Sequence, residues 1–443
     1  MKNLLNAIFV LAAFALQAQT GHVLQGAGAV NFSMGGAATA MPADVLGALQ
    51  WNPASITAFD RSAAALSVAY FTAAPEVFAA APNQQGGITS GTTKDEMGAS
   101  PLPTLGAVFG KEDKPLAFGV SAFGISGFGV DYPETTDFTN SNNINPLLVS
   151  QQQGGFGHLN SEYQLMQLGL TAAYEVTEGL SFGLAPTFNY ATLLIQPVPI
   201  AAPDQLRGYP IGDRASALGF GFQAGVFYQT EIGLNFGLSY KSTQWFQDFE
   251  IEGKYLDGSA AAVTKFNMDY PSIISAGVAY TSEIFDVALD YRLLNYENTD
   301  GFSKTGWAIG SNGFPTGAVA GFGWKNVNVI AAGVQLKFIE KVPIRLGYTY
   351  SSNPITEDNV FFSAAAPAVI ENAVQVGFSY KIMDNFDISL AYHRGLTTEV
   401  SGQLLNPFFI TAENPLGKIP QSEIKSSMYT DVVLLGVSYA FGK

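Results

Sequence analysis

Hydrophobic side chains alternate with small or polar ones along much of this chain, and a period of two is the signature of a β-strand. Residues 234–241 read Leu-Asn-Phe-Gly-Leu-Ser-Tyr-Lys, and residues 374–381 read Val-Gln-Val-Gly-Phe-Ser-Tyr-Lys. Successive side chains of a strand point to opposite faces. Each such segment therefore has one apolar face and one small or polar face.

The chain is rich in apolar residues but has no helix-length stretch of them. Of its 443 residues, 47% are hydrophobic and 13% are charged, whereas a soluble domain carries about 25% charged residues. Beyond the N-terminus, no run of about 18 apolar residues could span a bilayer as a helix. The composition leaves two alternatives, which are a large soluble core and a transmembrane β-barrel, whose strands alternate.

Connection lengths favour the barrel over a soluble β-sandwich. The alternating segments number about 14, and the seventh is expected over residues 232–250. Short turns such as 176–179 and 339–341 follow the even-numbered segments, whereas long connections such as 72–101 and 129–161 follow the odd-numbered ones. Bacterial outer-membrane barrels have an even strand number, short periplasmic turns and long extracellular loops. We predict an all-β protein, with residues 63–443 forming a transmembrane antiparallel β-barrel of about 14 strands.

Charge and rare residue types exclude several classes of function. The chain has 21 Lys and Arg against 36 Asp and Glu, a net charge of −15, which argues against nucleic acid as a partner. It has no Cys and only three His, so thiolate and histidine metal sites are not expected. No Gly-x-Ser-x-Gly elbow or P-loop occurs. We predict no metal, no cofactor and no enzymatic activity.

The N-terminus has the composition of an export signal. Lys2 precedes an apolar run from Leu4 to Leu16, and Ala18 is the expected last residue before cleavage. The alternative is a buried N-terminal helix of a soluble protein. With residues 1–18 removed as a signal peptide, membrane residence would depend on strands.

Residues 19–62 do not alternate and are predicted to form a plug inside the barrel. The segment is rich in Gly and Ala, and it contains the turn-forming motif Asn52-Pro53-Ala54. So apolar a stretch is a poor candidate for a disordered tail. A periplasmic N-terminal extension is the alternative.

These motifs carry a resemblance that covers the whole mature chain. Trp51-Asn52-Pro53-Ala54, with Gly-Gly-Ala at 35–37 before it and Phe-Asp-Arg at 59–61 after it, resembles the plug of the outer-membrane long-chain fatty-acid and hydrophobic-compound transporter family (FadL-like, OmpP1/FadL/TodX). The last strand, Gly-Val-Ser-Tyr-Ala-Phe at 436–441, is similar to that family's C-terminal strand.

The resemblance implies a mechanism as well as a fold. Members are monomeric 14-stranded barrels that take hydrophobic ligands from an extracellular groove without energy input. The ligand leaves sideways into the lipid of the outer membrane, at a kink in the third strand. The third strand of this chain has candidates for that lateral opening and for ligand contact, which are Gly124, Ser126, Gly127 and Gly129 with Phe123 and Phe128. The alternative is that these are ordinary barrel glycines packed against the plug.

Departures from the family bear on the ligand. Where the fatty-acid transporters have a basic residue in the fifth strand, this chain has Thr192, but a second basic position is retained as Lys325. Lys325 is the candidate contact for a ligand carboxylate, unless it is a surface lysine of the rim. His393 and Arg394 are weaker candidates in the lumen. The missing cation favours a neutral or unspecified hydrophobic ligand.

The predicted function is passive uptake of fatty-acid-like or hydrocarbon molecules across the outer membrane of a Gram-negative bacterium. The plug would rearrange, and release would be lateral, near the third strand. The alternative is a barrel component or shuttle of a protein secretion apparatus of the type IX kind. A general diffusion porin is disfavoured by the plug and by apolar loops such as 407–410, Pro-Phe-Phe-Ile.

Overall fold

A computed structural model describes residues 21–83, 86–110 and 114–442 of the chain. The predicted export signal, residues 1–18, lies outside these residues. The described part is a closed antiparallel β-barrel of 14 strands, as the alternation predicts. Its strands are β1 (Ser62–Ala73), β2 (Ser100–Phe109), β3 (Leu116–Tyr132), β4 (Leu159–Thr177), β5 (Leu180–Gln196), β6 (Ala215–Gln229), β7 (Leu234–Lys241), β8 (Ile273–Thr281), β9 (Phe285–Leu294), β10 (Val327–Leu336), β11 (Ile344–Ser351), β12 (Asn372–Met383), β13 (Phe386–Gly402) and β14 (Glu423–Phe441).

Each strand pairs antiparallel with its neighbours in sequence, and β1 closes the sheet against β14. The closing ladder runs from Ser62 opposite Phe441 to Ala73 opposite Thr430. Closure joins the first and last strands, which matters in lipid because no water is present to satisfy backbone groups. Short connections such as 178–179 and 384–385 lie on one rim, and long ones such as 133–158 and 403–422 lie on the other.

The alternation sorts side chains between the two faces of the wall. In β12 the apolar residues Val374, Val376 and Phe378 are exposed on the outer face, whereas Gln375 and Ser379 are buried on the inner face. The other strands repeat this pattern, so the exposed large hydrophobic residues form an apolar outer surface. Such a surface is suited to lipid contact.

Short elements occur outside the wall. Helices α1 (Gly28–Ser33) and α2 (Val45–Trp51) and the 3₁₀ helix Pro53–Ala58 precede β1. Further 3₁₀ helices are Ser141–Asn143, Gln151–Gln153, Tyr296–Asn298 and Pro407–Phe409, and short strands are Glu76–Pro82, Ile88–Lys94, Ile211–Gly212, Trp245–Phe246, Phe249–Ile251, Gly253–Lys254, Thr264–Phe266, Trp307–Ile309 and Pro315–Val319. No helix in the described ranges is both long and apolar enough to cross a membrane.

The seventh strand is shorter than predicted. We expected it over residues 232–250, but β7 ends at Lys241, and only Trp245–Phe246 pairs again with β6. Between them, the backbone N–H of Gln244 donates to the carbonyl of Tyr270 at 3.1 Å. This hydrogen bond to a residue of the long loop turns the chain away from the β6–β7 ladder. The alternation of side chains in the sequence does not predict such a turn.

Residues 21–61, which we call the N-terminal segment, lie against the inner face of the barrel. Both helices of the segment are mostly apolar, and nearly all their residues are buried. Helix α2 begins after Asp44, whose carboxylate accepts a hydrogen bond from the Gly47 amide at 3.3 Å. A short helix that is apolar on all sides needs surrounding protein to cover it, and the barrel wall provides that cover.

A belt of inward-facing glycines lets the wall approach the N-terminal segment closely. A Cβ atom at Gly225 would lie 2.0 Å from Asn52 Oδ1, and one at Gly237 would lie 1.9 Å from the Thr39 carbonyl oxygen. Both distances are shorter than any van der Waals contact. The members of this glycine belt are Gly106, Gly119, Gly183, Gly225, Gly237, Gly277, Gly333, Gly347, Gly377 and Gly436.

A buried ion pair on β9 also anchors the segment. Asp290 Oδ2 accepts hydrogen bonds from the backbone N–H groups of Ala38 and Thr39, each at 2.9 Å. Arg292 lies 2.8 Å from the same carboxylate oxygen, and its guanidinium stacks 3.5 Å from the ring centre of Trp51. Removing one partner of a buried pair costs about 3–5 kcal/mol, so this contact resists displacement of the segment.

The glycine belt predicts an overpacking effect. Gly237→Ala should destabilise the folded barrel by about 1–3 kcal/mol, because the new methyl group collides with the Thr39 backbone. The measurement is the temperature at which the folded form, which migrates fast in gel electrophoresis, converts to the unfolded form. Gly98→Ala is the control, since a Cβ there has no atom within 4 Å. Equal midpoints for Gly237→Ala and the wild type would contradict a close fit.

Candidate functional site

Strand β3 loses its partner β2 partway along its length. The β2–β3 ladder ends with Thr104 opposite Phe123, whereas β3 continues to Tyr132 and stays paired with β4. Past Phe123, no barrel strand among the described residues borders the β2 side of β3. Unpaired backbone groups are costly at membrane depth, so this edge needs another partner.

Residues 22–24 of the N-terminal segment supply that partner. The Leu24 N–H donates to the Ile125 carbonyl at 3.1 Å, and the Gly127 N–H donates to the His22 carbonyl at 3.1 Å. Between them, residues 23 and 126 form an antiparallel bridge. The segment thus acts as a one-bridge strand that fills the gap between β2 and β3.

The residues predicted for a lateral opening lie at this gap. The register between β3 and β4 changes between Gly124 and Ser126, which marks a bulge. Ser126 Oγ donates to the His22 carbonyl at 2.8 Å, and Gly127 is bonded to the same oxygen. Gly129 pairs with Glu162 of β4. The structure brings these residues together, and their role as an opening stays a prediction.

Aromatic rings surround the His22 side chain, which is completely buried. Phe302 stacks on the imidazole with ring centres 4.7 Å apart, and the Tyr296 hydroxyl lies 2.8 Å from Nδ1. We call the surrounding rings the aromatic cluster, and its members are Phe128, Tyr163, Tyr270, Tyr296, Phe302 and Trp324. The cluster lies directly behind the gap that residues 22–24 close.

Three polar atoms in and beside this cluster lack a partner. His22 Nε2, Tyr163 OH and Tyr270 OH are buried and accept or donate no hydrogen bond among the described residues. Each such group costs about 1–3 kcal/mol, and native structures contain few of them. Burial lowers the pKa of His22 to about 3, so the imidazole is neutral at pH 7. Apolar walls with a few polar atoms are typical of a small-molecule site.

A cavity of about 440 Å³, lined by both polar and apolar residues, opens at the long-loop rim. Its lining includes Leu147 and Phe156 from loop 133–158 and Leu404 from loop 403–422. The ring of Phe361 is 5.9 Å from that of Phe156 and 6.0 Å from that of Trp307. This cavity faces the extracellular side if short turns are periplasmic, as in other barrels.

Loop 352–371, between β11 and β12, lies between the rim cavity and the aromatic cluster. Its residues 359–370 are all buried although they belong to a long connection. Phe361 lines the rim cavity, and Ser363 Oγ accepts a hydrogen bond from Trp324 Nε1 at 3.0 Å. The loop therefore folds into the lumen and separates the rim cavity from the aromatic cluster.

The predicted ligand contacts on β3 and before β10 differ in position. Phe123 and Phe128 are buried, and Phe128 belongs to the aromatic cluster. Lys325 is exposed, and its Nζ lies 3.6 Å from a carboxylate oxygen of Glu297. The structure therefore places Lys325 at the rim, in agreement with the surface alternative.

His393 and Arg394 lie on opposite faces of β13. His393 is buried in the lumen, with Nδ1 3.1 Å from Gln375 Nε2. Arg394 forms an ion pair with Asp431 at 2.6 Å and lies over the ring of Tyr429. The prediction that Arg394 is lumenal is wrong, because consecutive side chains of a strand point to opposite sides.

The plug motif touches the wall directly. Asn52 Nδ2 donates to the carbonyl of Thr39 at 2.8 Å and to that of Val226 at 3.0 Å. Its Oδ1 accepts from the Ala54 N–H at 3.1 Å. A Cβ at Gly183 would meet the backbone of Pro53 and Ala54 at 2.4 Å. The motif thus joins the helices of the segment to β5 and β6.

Sequence reasoning missed His22, Tyr163 and Tyr270, which are far apart in the chain. One signal was readable in β4, where the apolar side chains change face. Leu165 is buried inside, whereas Leu168 and Leu170 are exposed outside. An apolar inner face in the half of a barrel strand that is nearer the long loops indicates that water does not fill this part of the lumen.

Comparisons with known proteins agree with the fold. A family model described as outer membrane protein transport protein (OMPP1/FadL/TodX) matches residues 10–441. The long-chain fatty acid transport protein of Salmonella typhi is 26% identical over 251 residues, 52% of this chain and 51% of that protein. The chain thus spans about half the length of the curated relatives it matches.

Solved structures cover nearly the whole chain. A Pseudomonas aeruginosa FadL homologue superposes with a TM-score of 0.71 at 15% identity, covering 95% of this chain and 100% of the homologue. The P. putida toluene transporter TodX gives a TM-score of 0.64 at 17% identity, with coverage of 95% and 99%. At these identities the likeness shows the fold alone.

Because the Tyr163 hydroxyl has no hydrogen-bond partner among the described residues, we expect its removal to weaken ligand binding without lowering the stability of the fold. Tyr163→Phe should leave the thermal midpoint unchanged or raise it, because it removes an unsatisfied buried group. The same change should weaken binding of dodecan-1-ol by roughly two- to tenfold and leave dodecane binding unchanged. Displacement of a fluorescent hydrophobic probe measures the affinity for each of these two ligands. Tyr174→Phe, on the outer face of β4, is the control, and equal effects on both ligands would contradict a hydrogen-bonding role.

Proposed function

The chain belongs to the outer membrane protein transport family (OMPP1/FadL/TodX), and from that premise we propose that it is a passive channel for hydrophobic small molecules. The family is one of transport proteins rather than enzymes, in agreement with the missing catalytic motifs. The relatives named above act on a long-chain fatty acid and on toluene. Both ligands are apolar over most of their surface.

One observation carries the proposal. The wall has a gap between β2 and β3, and three residues of the N-terminal segment close it from inside. The aromatic cluster lies behind that closure. If residues 22–24 moved inward, the cluster would open sideways through the wall.

The route starts at the rim cavity and ends in lipid. A ligand enters the cavity lined by Phe156 and Phe361, passes loop 352–371 and reaches the aromatic cluster. It leaves between β2 and β3. Each buried CH₂ group avoids about 0.8 kcal/mol of contact with water, so a path through apolar sites and then lipid never returns the hydrocarbon to water.

We propose that residues 19–62 act as the plug and that, within its described part, only residues 22–24 move. The rest of the N-terminal segment is held by the glycine belt and by the ion pair of Asp290 and Arg292. Displacing residues 22–24 breaks their short bridge to β3 and the packing of His22 in the aromatic cluster. Displacing the whole segment would also break its contacts with the glycine belt on ten strands.

The short-turn end of the lumen supports sideways release over straight passage. A cavity of about 450 Å³ there is lined by charged side chains that include Asp44, Lys337, Arg345 and Asp387. Moving hydrocarbon through a charged, hydrated vestibule is unfavourable compared with moving it into lipid.

The secretion alternative finds no support in the lumen. A protein cargo would need an open channel, but residues 21–61 and the buried loop 359–370 occupy the described interior. We therefore keep small-molecule uptake as the proposed function.

The gap predicts that a disulfide can lock the channel. Residues 23 and 126 form a non-hydrogen-bonded antiparallel pair, whose Cα atoms are about 4.5 Å apart, a separation that a disulfide can bridge. The natural chain has no Cys, so Val23→Cys with Ser126→Cys gives a single bridge. Oxidised cells should lose uptake of labelled fatty acid or toluene, and a reductant should restore it.

The control joins two wall strands that are already paired. Ser379→Cys with Ser389→Cys replaces two hydroxyls 2.7 Å apart on β12 and β13, and its oxidation should leave uptake unchanged. Undiminished uptake in fully oxidised Val23→Cys, Ser126→Cys cells would rule out release through this gap.

A further inference from the structure

Lys241, the last residue of β7, points into the barrel and is buried without an acidic partner. Only 3% of its surface is exposed. Its Nζ lies 3.1 Å from Gln167 Oε1 and 3.4 Å from Gln50 Oε1. Both acceptors are neutral, and no carboxylate in the described ranges lies within 4.0 Å of the Lys241 ammonium. A buried charge is costly unless a counter-charge compensates it.

Neutral amides surround this ammonium. Gln244 Oε1 accepts hydrogen bonds from Thr187 Oγ1 at 2.6 Å, from Asn189 Nδ2 at 2.9 Å and from Gln167 Nε2 at 3.2 Å. We call Lys241 with Gln50, Gln167, Asn189 and Gln244 the amide nest. All five side chains are buried. The nest offers N–H donors and one positive charge, and it contains no negative group.

Three other cations near the route are paired or exposed, and Arg345, at the short-turn end, is buried but donates hydrogen bonds to Gln335 and Ser379. Arg292 is paired with Asp290 at 2.8 Å, and Lys337 with Asp286 at 2.8 Å. Lys325 is largely exposed beside Glu297. Lys241 therefore differs from these three cations, because it is both buried and uncompensated.

The amide nest is contiguous with the gap and with the aromatic cluster. Gln167 is paired across the β3–β4 ladder with Phe123, the residue at which the β2–β3 ladder ends. Gln244 exchanges backbone hydrogen bonds with Tyr270 at 3.1 and 3.2 Å. Tyr163 and Gln167 lie on the same face of β4, about 13 Å apart at 3.3 Å per residue. A chain-like ligand can contact both regions at once.

We propose that Lys241 and the amide nest bind the carboxylate of a single-chain amphiphile whose hydrocarbon tail lies in the aromatic cluster. The inference rests on the proposed function and names the headgroup that the channel selects. A carboxylate supplies the missing counter-charge, and its two oxygens can accept from the ammonium and from an amide N–H together.

The site would link ligand binding to the N-terminal segment. Gln50 belongs to α2, and its contact with Lys241 is the longer of the two. A carboxylate that takes the place of Gln50 Oε1 releases one wall contact of the segment. The bond from Gln223 Nε2 to the Gln50 carbonyl, at 3.2 Å, does not involve that side chain.

The test compares hexadecanoate with hexadecan-1-ol on the purified full-length protein, by displacement of a fluorescent hydrophobic probe. Lys241→Met should weaken hexadecanoate binding by roughly ten- to a hundredfold, because a hydrogen-bonded charge is lost. Hexadecan-1-ol binding should stay unchanged, and Lys241→Arg should restore most of the carboxylate binding. Lys241→Met should still fold, with an equal or higher thermal midpoint, because it removes a buried uncompensated charge.

Lys325→Met is the matched control, since it removes an exposed lysine of the rim, and its hexadecanoate binding should equal that of the wild type. Unchanged hexadecanoate binding in folded Lys241→Met protein would overturn the inference and leave the proposed function standing. Equal losses for both ligands would also overturn it, because they indicate a packing effect. Failure of the wild type to bind either ligand would overturn the proposed function and the inference with it.

Discussion

The need to pair every backbone N–H and C=O group inside lipid governs this structure. It forces the strands into a closed sheet, and it makes the incomplete β2–β3 ladder significant. Between β2 and β3 the strands of the barrel wall leave part of the β3 edge unpaired. Residues 22–24 of the N-terminal segment form hydrogen bonds with that edge. A backbone bond made by a removable partner is a bond that can be broken without unfolding a strand.

The N-terminal segment combines a firm hold with one weak end. Wall glycines allow the segment to touch ten strands, and a buried carboxylate binds two of its amides, so most of it is fixed to the wall. Residues 22–24 touch the wall through one bridge to β3, and His22 also packs in the aromatic cluster. The proposed mechanism therefore assigns movement to the residues at the gap and not to the rest of the segment.

The fold could be predicted because lipid imposes a period of two, and because loop lengths sort by rim. The site could not, for physical reasons. His22, Tyr163 and Tyr270 meet only through barrel closure, and no spacing in the sequence reflects it. Lys241 was visible as a polar residue of an alternating strand, but inner faces of barrels are ordinarily wet, and only the structure shows that this lysine is dry. Lys325 looked more suitable and proved to be exposed.

The glycine belt also bears on how the protein is made. The residues it touches precede β1, whereas its members extend from β2 to β14, which pairs with β1 to complete the circle. The N-terminal segment is therefore synthesised before the barrel strands, and β14, which closes the barrel around it, is synthesised last. The number of strands must therefore match the size of the segment that they enclose.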